Sequence, residues 1–439
     1  MILCNAYYYG TIAAVRSLGR AGVPVVTVDP AAFAPGRFSR YCSEHLRSPA
    51  FDDPNWSDWL LEQGRGAPRR AIYATSDEVS FSLADRRDDL STSFDLYQPD
   101  LGTMMRILDK GLLTEDARAV GIDSPEVWFP RSGDDAARIV REVGGSFIAK
   151  PRSQLAIRTG NKGAFIEADA ADARAVYDDL LRQGAHNSNF AKRFPEATMP
   201  MLQRYYPEAM EKIYSLSGFR DMSGTQIVMC AAQKVLQQPR RFGIGLCFEE
   251  ADVIPDLAKR VVHLCERNGY YGAFELEFIF SNGRALLIDF NGRFYNQLAF
   301  DIARGIDLPR LAYAGATRNE EELAKLISAI PPRDKGEGMA FCNTFGLSLN
   351  LAAQRVFGGM TADEANRWRE WRNARGSSIV DPVRDTDDPR PASVDFAQQL
   401  YRVARYPRGF LRAARSMNVK RLTAAAAPWS ILAEILICC

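Results

Sequence analysis

The first hundred residues alternate short apolar runs with amphipathic stretches. Met1–Asn5 and Val23–Val28 are runs short enough for buried strands. Between them Ile12, Val15 and Leu18 recur at the spacing of one helical face, which predicts a helix over Thr11–Ala21 closed by Gly22. A helix over Trp56–Glu62, a strand over Ala71–Ala74 and a capping triplet Thr75-Ser76-Asp77 continue the alternation. This order predicts an α/β unit with a parallel sheet covered on both faces, and it puts the loops Ala6–Gly10 and Thr75–Glu78 on the ligand-facing rim. Tyr7-Tyr8-Tyr9-Gly10 is not a GxGxxG loop, so no dinucleotide site is read there.

A helical connector over Leu101–Val120 ends at Gly121. Strands follow at Ser146–Lys150 and Ala164–Glu167 around a polar loop, Arg152–Gly163, and then a helix over Ala171–Arg182. Ala185–Pro195 reads as a surface loop and Met201–Tyr205 as a strand, with more strands to Leu246 and a helix over Pro255–Asn268.

Residues 273–293, AFELEFIFSNGRALLIDFNGR, have the period of two that marks a hairpin. A two-residue turn at Asn282-Gly283 would place the polar sets of the two strands on opposite faces. A three-residue loop, Asn282–Arg284, aligns Glu277 with Asp289 and Glu275 with Asn291 and gathers the aromatics on the other face, so the pattern favours it. Carboxylates at cross-strand spacing repel unless a cation sits among them, and oxygen ligands there suit Mg²⁺ with phosphates better than zinc. For the hairpin taken alone, a solvated polar face is the favoured reading, and it is the rest of the chain that turns the balance.

Composition narrows the class. The chain of 439 residues predicts two or three domains. A net charge of +1 excludes a globally basic nucleic-acid binder. No uncharged apolar stretch reaches the length of a membrane span, and the N-terminus lacks the basic region of a secretory signal. The eight cysteines form no CxxC pair and read as small buried hydrophobes in a reducing cytoplasm, while three histidines argue against a histidine zinc centre.

With these residues on the page, the chain resembles the ATP-grasp superfamily of ligases. Glu277…Asp289-Phe290-Asn291-Gly292-Arg293 is similar to that family's metal motif, although Gly292 stands where many members carry another residue. Lys110 in LDKGLLTEDARAVGIDSPEV, Lys150 in SFIAKPRSQ and the hinge strand in MLQRYYPEAMEK follow the family's order. The resemblance spans roughly 1–315 and places it nearest the carboxylate–amine ligase branch, similar to D-aspartate ligase-like and carbamoyl-phosphate-synthase-like proteins. It implies a pre-ATP-grasp domain over 1–105, a two-lobed α+β ATP-grasp domain over 106–315 with a lid at about 146–206, and a C-terminal helical extension over 316–439.

The resemblance also implies roles. Lys110 and Lys150 would meet phosphates, and the loop carrying Arg158 and Lys162 would fold over them. Gln203, Arg204, Tyr205 and Tyr206 would border adenine through backbone groups, and Glu211 (or Glu208) would bind ribose. Arg204 stands where a hinge glutamate is common. Glu277, Asp289 and Asn291 would hold Mg²⁺, or Mn²⁺ in its place. Arg293, with Lys234 and Arg241 as further candidates, would hold the substrate carboxylate or the transferring phosphoryl group. Lys234 and Arg241 fit a basic hairpin surface equally well. The implied substrates are a small carboxylate, that of an amino acid first, and an amine, coupled through an acyl phosphate; the alternatives are a non-amine acceptor or a non-catalytic nucleotide-binding scaffold at a membrane surface.

Residues beyond 320 predict a strand over Ala340–Leu349, a tryptophan-bearing helix over Ala362–Asn373 and a charged linker, Asp381–Pro391. From Phe396 to Ala433 there is no acid, but Arg402, Arg405, Arg408, Arg412, Arg415, Lys420 and Arg421 are present, leaving about −6 for the rest of the chain. This tail suits an anionic membrane surface or acidic partner, or docking on the protein's own acidic body or a second subunit. A homodimer is the commonest closed assembly.

Overall fold

The computed structural model describes residues 1–156, 163–183, 187–238, 243–331, 338–356 and 360–405. Arg158, Lys162 and Arg241 lie outside them, as do Arg408, Arg412, Arg415, Lys420 and Arg421 of the basic tail.

The N-terminal unit is the expected parallel sheet. Its strands are β1 (Ile2–Cys4), β2 (Val25–Asp29), β3 (Cys42–Arg47), β4 (Arg70–Tyr73) and β5 (Phe94–Leu96), in the order β3-β2-β1-β4-β5. The order reverses between β1 and β4, so the loops after these strands open on the crevice where such sheets bind ligands. β3 escapes the hydrophobic pattern because Cys-Ser-Glu-His-Leu-Arg is a half-exposed edge strand with no apolar run.

The expected connector is two helices, Leu101–Leu108 and Lys110–Ala119. Asp109 breaks them: its backbone is extended, and its carboxylate accepts from the amides of Gly111 and Leu112 at 2.8 and 3.4 Å, capping a new helix. Lys110 therefore becomes a first-turn residue.

A small antiparallel sheet follows, built from β6 (Val127–Trp128), β7 (Phe147–Pro151), β8 (Ala164–Ile166) and β9 (Pro200–Arg204), in the order β6-β9-β7-β8. Helices Gly133–Val143 and Ala170–Arg182 pack on each other beside it. The expected surface loop at 185–195 contains a helix, Ser188–Arg193, capped by Asn187. Its Phe190 is fully buried, against Phe81 and Phe194. One large apolar residue in a short polar stretch is too little periodicity to reveal a helix.

The largest sheet holds β10 (Ile213–Arg220), β11 (Ile227–Gln238), β12 (Ile244–Ala251), β13 (Gly272–Ser281), β14 (Arg284–Asn291), β15 (Ala340–Cys342) and β16 (Ile379–Val380). Their order is β14-β13-β10-β11-β12-β15-β16. The segment beyond 316 thus completes a sheet begun a hundred residues earlier. The strand expected over 340–349 stops at Cys342, because the Asp381 carboxylate accepts from the amide and hydroxyl of Thr344 and starts a helix, Thr344–Val356. The tryptophan helix runs Ala362–Arg375 behind a Thr361/Glu364 capping box.

Asp381–Pro391 is not a free linker. Asp388 is buried and accepts from Arg16 Nε at 3.0 Å, Ser39 Oγ at 2.7 Å and the Arg40 amide at 2.9 Å. Asp385 and Asp387 pair with Arg20 and Arg40. A helix, Arg390–Arg405, then carries the first two tail cations, Arg402 and Arg405. Among the described residues no helix is long and apolar enough to cross a membrane.

Candidate active site

The β13–β14 hairpin pairs Glu275 with Asn291 and Glu277 with Asp289, as the polar pattern predicts, but by a different device. The turn is two residues, Asn282 and Gly283, both at positive φ (50° and 75°), the geometry of a type I′ hairpin turn. Parity is restored by a bulge: Phe278 pairs with Leu287 and Glu277 with Asp289, leaving Ile288 as the extra residue. Leu287 and Phe290 consequently both reach the core that holds Phe274, Leu276 and Phe278. The expected loop Asn282–Arg284 is thus replaced, since Arg284 already pairs with Ser281.

The carboxylates on the other face each have a defined partner. Lys110 Nζ donates to Asp289 Oδ1 at 2.9 Å, and Lys234 Nζ donates to Glu277 Oε1 at 2.6 Å. Burial by itself would lower the pKa of Lys110, but the Asp289 carboxylate outweighs it and holds the lysine above its ordinary value. Glu275 lies deeper. It accepts from Ser215 Oγ (2.6 Å), Asn291 Nδ2 (2.6 Å) and Gln297 Nε2 (3.0 Å). Burial, and then the neighbouring Glu277 charge, push its carboxyl up to about 7 in spite of those donors.

Arg293 follows directly after the hairpin. Its Nε donates to Asp77 Oδ1 at 2.6 Å, Nη2 to Asn291 Oδ1 at 2.8 Å and Nη1 to its neighbour's carbonyl, Phe294 O, at 3.1 Å. Asp77 opens the helix Asp77–Asp85 on the rim of the parallel sheet, next to Ser76, whose hydroxyl caps that helix. The loops after β1 and β4 converge here too: Phe294 N donates to Ala74 O, and a Cβ on Gly10 would stand 2.2 Å from Tyr295 O.

The small sheet supplies the other flank. Lys150 lies on β7, opposite Met201, and two residues on Arg152 O accepts from the Lys110 amide at 3.0 Å. The end of β7 and the helix headed by Lys110 are therefore stitched together. Gln203 pairs with both Val127 and Ile148. The amides of Arg204 and Tyr205 donate to Glu126 O and Ser146 O, so among the described residues Tyr206 N is the first hinge amide without a protein partner. The Arg204 side chain is engaged within the protein. Its guanidinium sits over Phe147 (5.0 Å) and Trp128 (5.5 Å) and donates to Gly144 O, which explains why the position tolerates a cation. Glu211 is exposed just past the turn Pro207–Met210, while Glu208 accepts from Ser281 Oγ at 2.8 Å.

The donor set can be tested for a metal. Among the described residues no three His, Cys, Asp or Glu side chains form a closed cage. Glu277 and Asp289, 17% and 25% exposed, make an open pair with the Asn291 amide beside them. An open pair of carboxylates fits Mg²⁺, which keeps water and phosphate oxygens as its remaining ligands. The described cysteines are thiols, all buried but the half-buried Cys42, in keeping with a packing role.

Reading the sequence missed the second tier: Asp77, Ser215 and Gln297. Asp77 was visible only as a helix cap, and nothing in a linear pattern joins it to an arginine 216 residues away.

No known family profile and no curated relative matches the chain. Solved structures do. The biotin carboxylase domain of Hydrogenobacter thermophilus 2-oxoglutarate carboxylase, a dimer with MgADP, ADP and bicarbonate, matches at 16% identity and TM-score 0.56, covering 72% of this chain and 69% of that one. Campylobacter jejuni biotin carboxylase matches at 14% identity and TM-score 0.57, covering 77% and 73%. N5-carboxyaminoimidazole synthetase from Staphylococcus aureus, complexed with ADP, matches at 16% identity and TM-score 0.53, covering 72% and 77%. Identities this low establish a shared architecture: the chain has the multidomain ATP-grasp fold.

Proposed function

We propose that this protein is an ATP-dependent, ADP-forming carboxylate–amine ligase. The observation that carries the reading is the hairpin face, where Glu277, Asp289 and Asn291 are held in register beside Arg293, with a lysine seated on each carboxylate. The reaction needs few reactive side chains and many positioned charges. A donor carboxylate attacks the γ-phosphorus of ATP; the bond to the bridging oxygen breaks and ADP leaves. An amine then attacks the acyl phosphate, loses a proton and expels inorganic phosphate.

Each group has a part in this. Lys110 and Lys234, ion-paired with Asp289 and Glu277, can exchange a carboxylate for phosphate oxygens when ATP binds, and Lys150 adds a further point charge from β7. Arg293, fixed by Asp77 and Asn291, offers its fork to the donor carboxylate and then to the acyl phosphate. Tyr206 N meets the adenine edge, and Glu211 binds ribose. Glu277, Asp289 and Asn291 would hold Mg²⁺ or Mn²⁺, which supplies neutralisation of the phosphate charge.

The donor we favour is the carboxylate of an amino acid. Bicarbonate is the second reading, favoured by its presence in the Hydrogenobacter thermophilus enzyme. ADP release with Mg·ATP in the presence of hydroxylamine separates the two. A hydroxamate formed from one amino-acid pool and lost in Glu277→Gln supports the first. ADP release that needs only bicarbonate supports the second. No ADP release with either donor contradicts the ligase reading.

A further inference from the structure

The helix Asp77–Asp85 belongs to the N-terminal unit, yet it takes part in both neighbours. Val79 and Leu83 point into the core of the parallel sheet, while Phe81 and Ala84 join the core of the other lobes. Its first residue, Asp77, holds Arg293. Its later turns receive the segment between helix Ala170–Arg182 and β9. Phe190 meets the Phe81 ring edge-on at 5.4 Å, Phe194 does so at 6.3 Å, and Arg193 pairs with Asp85. Asn189 reaches across to the carbonyl of Pro54. The small lobe is therefore seated on the same two and a half turns of helix that aim the arginine.

We propose that this helix is a shared anchor, making Asp77 a positioning residue whose hold on Arg293 depends on the small lobe being seated. The proposal rests on Arg293 being the oxyanion-binding arginine of the proposed ligase, but the coupling itself is a property of the protein alone. A nine-residue helix capped by Ser76 and packed on two cores moves as one body. Releasing Phe190 and Arg193 from its C-terminal half lets its N-terminal turn shift, and Asp77 with it. Coupling of this kind is reciprocal, so loosening Asp77 must also loosen the seated segment.

The test uses the full chain without ATP or substrate, so it is independent of whether the ligase reading stands. Two ends are read at once: hydrogen exchange of the amides of Ala191 and Phe194, and labelling of Arg293 by phenylglyoxal, mapped by mass spectrometry against exposed arginines as references. In Arg193→Glu we expect both signals to rise about threefold, the scale of a surface ion pair turned repulsive. Both should return when Asp85→Arg is added. Asp77→Asn should speed exchange at Ala191 and Phe194 although it touches neither. Phe190→Leu keeps the apolar filling, so it serves as a variant that folds and still weakens the seat. Faster exchange with unchanged Arg293 labelling would overturn the coupling. No change at either end in both seat variants would overturn the anchor itself.

Discussion

Two sets of buried ion pairs distinguish the ends of this molecule. At the C-terminal clasp, the Arg16 guanidinium donates to the carboxylate and carbonyl of Asp388 and to the carbonyls of Pro382 and Val383. All its nitrogens are committed to protein. At the hairpin, the ammonium groups of Lys110 and Lys234 make one hydrogen bond each among the described residues, to carboxylates that stay partly open. An ammonium has three protons to donate, so these lysines can engage a new oxygen without first being stranded. Saturation suits a structural pair; spare donors beside open carboxylates suit the exchange that the proposed reaction asks of these lysines.

That contrast can be broken from either side. The largest effect is expected at the clasp: Arg16→Met leaves Asp388 buried without its cation and should cost about 3–5 kcal/mol, read as a fall in urea-unfolding free energy. A cost under about 1 kcal/mol would mean the clasp is no more structural than the hairpin. Next, Lys234→Met should lower ADP release by about 10²–10³-fold while shifting stability much less than Arg16→Met does. Equal losses of stability in the two variants would erase the distinction.

Glu275 sharpens it further. Its folded pKa, about 7, exceeds its ordinary value of 4.5, so the folded state holds the proton more tightly. Its contribution to stability is full below about 4.5 and is lost as pH rises towards 7. We expect the wild type to lose about 2–3 kcal/mol between pH 4.5 and 7.5 relative to Glu275→Gln. Parallel pH profiles for the two proteins would show that folding leaves the Glu275 pKa at its ordinary value. The smallest effect is expected for Arg204→Ala, about 1 kcal/mol from lost stacking on Phe147 and Trp128, with the KM for ATP unchanged. A raised KM would show that the Arg204 side chain serves the nucleotide site.

What the chain reveals before folding follows the range of each interaction. The hairpin pairing was legible because period two and the aromatic face act over twenty residues. The turn was misread because a two-residue turn plus a bulge gives the same pairing as a three-residue loop, and only backbone geometry separates them. Lys110 stands out as a candidate through its motif, but the break at Asp109 that makes it a helix-first residue looks like continuous helix in a hydrophobic pattern. Asp381–Pro391 looked like a linker because prolines and acids are what linkers contain. Its partner, Arg16, lies some 370 residues upstream and is ordinary in its own helix.

The clasp also dictates a timetable for synthesis. A ribosome adding about 5–20 residues per second separates Arg16 from Asp388 by roughly 20–70 s. Throughout that interval the nascent N-terminal sheet carries Arg16 without the partners that enclose it, and from residue 251 to residue 340 the edge of β12 awaits β15. The unit that emerges first is thus the last to be sealed, and a chain released early keeps an open strand edge through which it can pair with other chains.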